Sequence, residues 1–201
     1  THAHGDHVEG HLALKQRHGA TIYGPKGEAE RVPGLDVAVS AGTPMRFAGR
    51  DVLVIDTPGH SRGHVAFYIP DEGVAFVGDT LFALGCGRVV DGAIDDLWRS
   101  VRKLADLPAA TLVYCGHEYT EANARFALTI EPDNADLVAR AAEVKAARAK
   151  GLPTVPSTIG AELLTNPFVR AEQASVKAAV GMAGKPAAEV FAELRQRKNR
   201  F

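Results

Sequence analysis

The chain opens Thr1-His2-Ala3-His4-Gly5-Asp6-His7-Val8, and three of its eight histidines fall within these residues. A lone histidine such as His11 or His18 reads as a surface or satisfied core residue. Imidazoles and a carboxylate crowded this densely have no packing rationale and point to metal ligation. On an extended segment, side chains at i and i+2 point the same way, so His2 and His4 can converge on one ion. Gly5 permits a turn after them, past which Asp6 and His7 face a second ion beside the first.

Three later segments each place one more candidate ligand at the end of a predicted strand. Thr57-Pro58-Gly59-His60 follows a strand ending at Asp56, Gly78-Asp79-Thr80 follows Val74 to Val77, and Cys115-Gly116-His117 follows Thr111 to Tyr114. Catalytic groups collect at strand ends, where loops vary over a rigid sheet, although each segment alone could be an ordinary glycine turn.

Short apolar runs bounded by Gly, Pro or Asp predict strands at Ala20 to Tyr23, Asp51 to Asp56, Val65 to Ile69, Val74 to Gly78 and Thr111 to Gly116. Helices are predicted at Val8 to His18 and Ile94 to Leu107. From Ala122 the composition shifts. Ala135 to Lys150 reads as a helix with Leu137, Ala141, Val144 and Arg148 on one face, stopped by Gly151 and Pro153. A second helical run, Pro186 to Asn199, offers Val190, Phe191 and Leu194 for packing. The expected organisation is an α/β region over 1–117, with a helical, substrate-binding region over 118–201 docked on it.

With 201 residues, 46% of them hydrophobic, the chain can bury a substantial core. A formal net charge of -1 gives no overall footprint for nucleic acid or an anionic membrane, so an anionic ligand needs a local cationic patch. No apolar run is long enough to span a bilayer. Cys86 and Cys115 cannot build a disulfide framework; they read as small buried residues, and lone thiols predict a reducing, cytoplasmic setting. A monomer is expected. The start at Thr1, without an initiator Met, predicts a further segment before it.

The Thr1 to His7 series, followed by His60, Asp79 and His117 in that order and context, closely resembles the metal-binding series of the metallo-β-lactamase superfamily. The resemblance implies an α/β fold, the αββα sandwich, with its N-terminal strands missing from this chain and a small C-terminal helical domain added. It implies that His2, His4 and His60 hold one metal and Asp6, His7 and His117 the other. Asp79 would bridge the two, Asp79 and Asp6 would be the catalytic carboxylates, and His64 would stand beside the metals rather than on them. Two divalent ions roughly 3.5 to 4 Å apart can lower the pKa of a shared water from about 15.7 to about 7, giving a hydroxide nucleophile at neutral pH. Imidazole and carboxylate without thiolate suit Zn, Fe or Mn, with zinc the first expectation.

Thr80 to Arg88, Tyr114 to Thr120, Asn123 to Ala127, Glu131 to Asn134, Pro153 to Thr158 and Thr165 to Arg170 are similar to segments of the glyoxalase II (hydroxyacylglutathione hydrolase) family. That resemblance implies hydrolysis of S-D-lactoylglutathione and related glutathione thioesters to glutathione and a 2-hydroxy acid, as in methylglyoxal detoxification. The family's glutathione site falls on Arg88, Tyr119, Arg195 and Lys198. Val90 stands where the family usually places an aromatic residue. Guanidinium groups suit the carboxylates of glutathione, whereas the cluster Arg195, Arg197, Lys198 and Arg200 also reads as a solvated helix end favoured by the helix dipole.

Two other readings fit the same residues. One is a mononuclear-iron sulfur dioxygenase of the same superfamily, acting on glutathione persulfide. The other is a non-catalytic form lacking its N-terminal strands, in which His2 and His4 lie on a fraying terminus.

Overall fold

The computed structural model describes residues 1–201. After an extended start come a single helical turn, α1 (Gly5–Val8), and a second helix, α2 (His11–His18). The sequence predicts one helix over this stretch. The chain instead turns at Glu9-Gly10 and ends α2 on Gly19 in the left-handed region (φ 60°), where glycine carries no steric penalty. Gly5 lies inside α1, and a Cβ there would meet nothing within 4 Å, so the turn does not depend on its being glycine.

The next strand, β1 (Tyr23–Pro25), starts later than predicted and pairs in parallel with β2 (Val37–Val39). Then follow β3 (Met45–Phe47), β4 (Arg50–Asp56), β5 (Val65–Ile69) and β6 (Val74–Gly78). A tight hairpin, β7 (Leu81–Phe82) and β8 (Gly85–Cys86), leads to α3 (Ile94–Ala105) and β9 (Leu112–Cys115). The rest is α4 (Thr120–Ile130), α5 (Ala135–Ala149), β10 (Ser157–Thr158), α6 (Ile159–Thr165), α7 (Ala174–Ala179) and α8 (Ala187–Arg200).

The main sheet has the order β10-β9-β6-β5-β4-β3. β4 and β6 are each antiparallel to β5, and β9 is parallel to β6. Strands β4, β6 and β9 therefore run the same way, and the loops that follow them emerge at one edge of the sheet. Those loops carry His60, Asp79 and His117.

Alternation along the strands assigns the two faces. Ala66, Tyr68, Ala75, Val77 and Val113 join Leu97, Val101, Val190, Phe191 and Leu194 in one buried core of 22 residues. On the opposite face Val54, Val65 and Phe67 meet Val39 of the two-stranded sheet, while Phe76 and Tyr114 stack on each other at 5.4 Å and are partly exposed. The second sheet of the sandwich thus consists of β1 and β2, covered in turn by α1 through Val8 on Ile22 and Val32.

The main core runs without a break across residues 117 and 118, as expected of a docked tail. Val190, Phe191 and Leu194 are fully buried, each contributing about 1.5–3 kcal/mol. That anchoring fixes the direction of α8, and with it the positions of Arg195 and Lys198.

Candidate functional site

His2 is carried on the extended opening segment. Val65 donates its main-chain N–H to the Thr1 carbonyl at 2.9 Å, Ala3 donates to Glu28 at 2.7 Å, and the His2 side chain is buried. The expectation of a fraying terminus is therefore corrected: these bonds tie the opening residues to β5 and to the Lys26–Arg31 stretch. His4 precedes α1, which carries Asp6 and His7. His60 lies between β4 and β5, Asp79 just past β6, and His117 just past β9.

The seven side chains meet. His60 Nε2 lies 3.0 Å from His4 Nδ1, and His2, His4 and His60 offer ligand atoms within 4.8 Å of one another. Asp6, His7 and His117 form a second such group, with His7 Nε2 and His117 Nε2 at 3.3 Å. Asp79 lies between the groups: its carboxylate is 3.6 Å from His60 Nε2, 3.4 Å from His117 Nε2 and 3.4 Å from His7 Nε2. Close approach is possible because residue 116 is glycine; a Cβ there would come within 2.4 Å of Asp79 Oδ1 and 2.7 Å of His7 Cε1.

The donor set fits divalent cations. His2 Nε2 and Asp79 Oδ1 are buried with no hydrogen-bond partner, and a shared cation would satisfy both. Burial holds His2 well below the usual imidazole range, with neighbouring imidazoles adding to the effect. It also lowers His7 and His60, against the opposing pull of Asp79. At neutral pH these rings present lone pairs rather than charge.

His64 is not one of the converging groups. Its Nε2 accepts from the Asp79 N–H at 3.1 Å, so Nδ1 carries the proton and donates to Thr57 Oγ1 at 2.8 Å. It fixes the main chain at Asp79 from beneath.

Beside the cluster opens a cleft of about 800 Å³ that reaches His60 and Asp79 and is walled by Phe82, Tyr119 and the end of α8. Tyr119 is half exposed and stacks on His117 at 5.0 Å. Arg88 is exposed at the rim beside Val90, while its main-chain oxygen accepts from His60 Nδ1 at 2.7 Å. Arg195 is buried: Nη1 donates to the carbonyls of Cys86 (2.9 Å) and Gly87 (3.4 Å), and Nε donates to Asn199. Lys198 donates to the Ala122 carbonyl at 2.9 Å, and burial, reinforced by Arg195 and Arg125, pulls its ammonium down to about 8.

The structure divides the cationic cluster foreseen on α8. Arg197 pairs with Glu193 and with the Val180 carbonyl, leaving Arg195 and Lys198 in the cleft. Sequence reasoning missed Asn123, which donates to the Ala83 carbonyl and lines the cleft, because it lies in α4, a helix the sequence reading did not predict. It also missed Glu28, one of two glutamates in an irregular stretch.

Residues 1–117 match the family model for the metallo-beta-lactamase superfamily, and residues 118–201 match that for the hydroxyacylglutathione hydrolase C-terminus. The chain belongs to the hydroxyacylglutathione hydrolase family. Proteins named hydroxyacylglutathione hydrolase from Methylococcus capsulatus and Cereibacter sphaeroides are 51% and 52% identical over the whole chain, which spans 78% and 79% of their lengths. Among solved structures, ETHE1 from Myxococcus xanthus superimposes with a TM-score of 0.67 at 26% identity, over 99% of this chain and 67% of that one. TTHA1623 in a di-iron-bound form gives 0.54 at 26% identity, over 84% and 74%. Membership of the metallo-beta-lactamase superfamily makes this hydrolase-family chain a divalent-metal protein. None of its helices is long and apolar enough to cross a membrane.

Proposed function

We propose that the chain hydrolyses S-D-lactoylglutathione and related glutathione thioesters to glutathione and a 2-hydroxy acid. The observation that carries this reading is that the cleft reaching His60 and Asp79, two of the seven converging imidazole and carboxylate side chains, is also lined by Arg88, Arg195 and Lys198. His2, His4 and His60 would hold one divalent ion, zinc first, and Asp6, His7 and His117 the other, with Asp79 touching both. When bound, the metals supply an acidified water and a Lewis acid for the thioester carbonyl.

The chain's residues do the rest. Asp79 and Asp6 add negative charge that would hold the cations and accept a hydrogen bond from the attacking water. Tyr119 and Phe82 wall the cleft with their rings beside His117. Arg88 at the rim, Lys198, and the Arg195 Nη2, which makes no bond within the chain, are available to the glycyl and glutamyl carboxylates of glutathione. A thiolate leaves readily, so no side chain is assigned as general acid. Val90 supplies no aromatic surface, and recognition rests on these cations. All seven candidate ligands come from 1–117, and Tyr119, Arg195 and Lys198 from 118–201. We take the setting to be methylglyoxal detoxification by a cytoplasmic monomer.

The test is release of free thiol from S-D-lactoylglutathione, with and without chelator. Metal-dependent release is expected. A metal-loaded chain that releases no thiol, but consumes oxygen with glutathione persulfide and binds one iron, would establish the dioxygenase reading instead. The family match over 118–201 and the identity of about half the chain to hydroxyacylglutathione hydrolases favour the hydrolase.

A further inference from the structure

Glu28 is 4% exposed, and its carboxylate hydrogen-bonds only to main-chain N–H groups of two distant segments. Oε2 accepts from Ala3 at 2.7 Å, and Oε1 from Gly63 at 2.8 Å. Ala3 lies between His2 and His4, and Gly63 between His60 and His64. One carboxylate therefore ties together the two segments whose imidazoles form the first ligand group.

The surrounding packing is built for this reach. Glu28 interrupts an irregular helical stretch, Lys26–Arg31, with φ -131° and ψ 19°. A Cβ on Gly63 would fall 2.7 Å from Glu28 Cγ and 2.8 Å from the Gly27 carbonyl carbon, so the two backbones touch because residue 63 has no side chain. Burying a carboxylate with no cationic side chain bonded to it is costly unless hydrogen bonds and a nearby positive charge offset the lost hydration. The two amides provide the first. The ligand cluster a few residues away on both tethered segments is where the second would reside.

We propose that Glu28 is a positioning residue of the metal centre, holding the His2–His4 and His60–His64 segments at the spacing a cation requires and adding a buried negative charge beneath them. This rests on the metal-centre reading above. A group that fixes metal ligands from behind typically changes metal affinity by ~10–100-fold when altered.

The experiment measures zinc dissociation constants by competition with a chromophoric chelator for the parent chain, Glu28→Gln, Glu28→Asp and, as a surface control, Glu72→Gln. Glutamine has the length of glutamate but one acceptor oxygen, so it leaves one of the two N–H groups facing an NH₂ and removes the charge. Zinc binding about 10-fold weaker or more in Glu28→Gln is expected, with the control unchanged. KM at saturating zinc should also be unchanged, and Glu28→Asp should restore part of the affinity. Melting temperatures are taken without and with zinc. A melting temperature lowered equally in both states, with zinc affinity at the parent value, overturns the proposal and makes Glu28 a purely structural residue. So does loss of folding in both Glu28 variants that added zinc does not reverse. Zinc binding is read without substrate, so a chain that binds zinc yet hydrolyses no thioester would contradict the hydrolase reading and leave this one standing.

Discussion

His60 and Arg88 are joined by a 2.7 Å hydrogen bond from the imidazole Nδ1 to the main-chain oxygen. A carbonyl can only accept, so Nδ1 carries the proton and Nε2 is left with its lone pair facing His4. The same bond ties the cluster to the strip of chain whose side chains form the rim of the cleft. On the proposed function, metal binding and substrate binding would thus be linked at one residue.

His60→Ala removes both halves of that link. The metal content of the chain should fall, and kcat/KM should drop at least ~100-fold, beyond the ~10–100-fold typical when only a partner of a ligand is lost. Elemental analysis beside the thiol-release assay checks this. Full metal content with an undiminished rate would contradict the assignment of His60.

Lys198 should impose a pH limit on substrate binding. Its ammonium titrates at about 8, below the ordinary lysine range, because burial and the neighbouring Arg195 and Arg125 disfavour the charge. KM is expected to rise as pH passes 8 while kcat holds, and Lys198→Met should remove that step. Stability moves the other way. Between about 8 and the ordinary value of 10.5 the folded chain binds fewer protons than the unfolded one, so the penalty of burying the charge is complete below 8 and is relieved as pH rises through this window. Urea unfolding of parent and Lys198→Met at pH 7.5 and pH 10 measures the difference.

Arg195 is expected to act on stability as well as on binding. Its guanidinium satisfies the Cys86 and Gly87 carbonyls from a buried position, so Arg195→Met leaves these acceptors without a partner at a cost of about 1–3 kcal/mol. Arg195→Lys should recover little, since an ammonium does not reproduce the planar fork. A raised KM with a lowered melting temperature is the expected result. A raised KM with parent-like stability would mean that the carbonyls find other donors.

Long elements were legible because their patterns are long. β5 and β6 fall on their predicted residues, α5 buries Leu137 and Val144 of the four-residue face foreseen for it, and α8 buries Val190, Phe191 and Leu194. Two- and three-residue strands such as β2, β3 and β10 carry too few positions for alternation to show, and their pairing comes from the tertiary fold. The cluster was legible because imidazole and aspartate at strand ends have a chemical signature that no packing pattern imitates. Glu28 and Glu162 were not legible, because a carboxylate that hydrogen-bonds to distant residues looks the same in sequence as one on the surface. The α8 cations were grouped by adjacency, but a helix turns 100° per residue, which sends Arg197 away from the face shared by Arg195 and Lys198.

Glu162 governs the hairpin that follows Asp79. It is 1% exposed, accepts from the Leu84 N–H at 2.9 Å and the Asn166 amide at 2.8 Å, and pairs with Arg140 at 2.5 Å. Asn166 in turn donates to the Gly85 carbonyl at 2.9 Å. Leu84 holds a left-handed conformation, φ 59°, unfavourable for a side chain with a Cβ, and its bond to Glu162 helps to maintain it. Glu162→Ala breaks a buried ion pair and should cost about 3–5 kcal/mol in urea unfolding. Adding Arg140→Met removes the stranded guanidinium and should recover part of the loss. The Leu84 N–H still lacks its acceptor, so stability should remain below the parent's, and kcat/KM should fall with the loosened rim around Arg88. Full recovery in the double variant would show that the ion pair, and not the hydrogen bonds to the hairpin, is what Glu162 contributes.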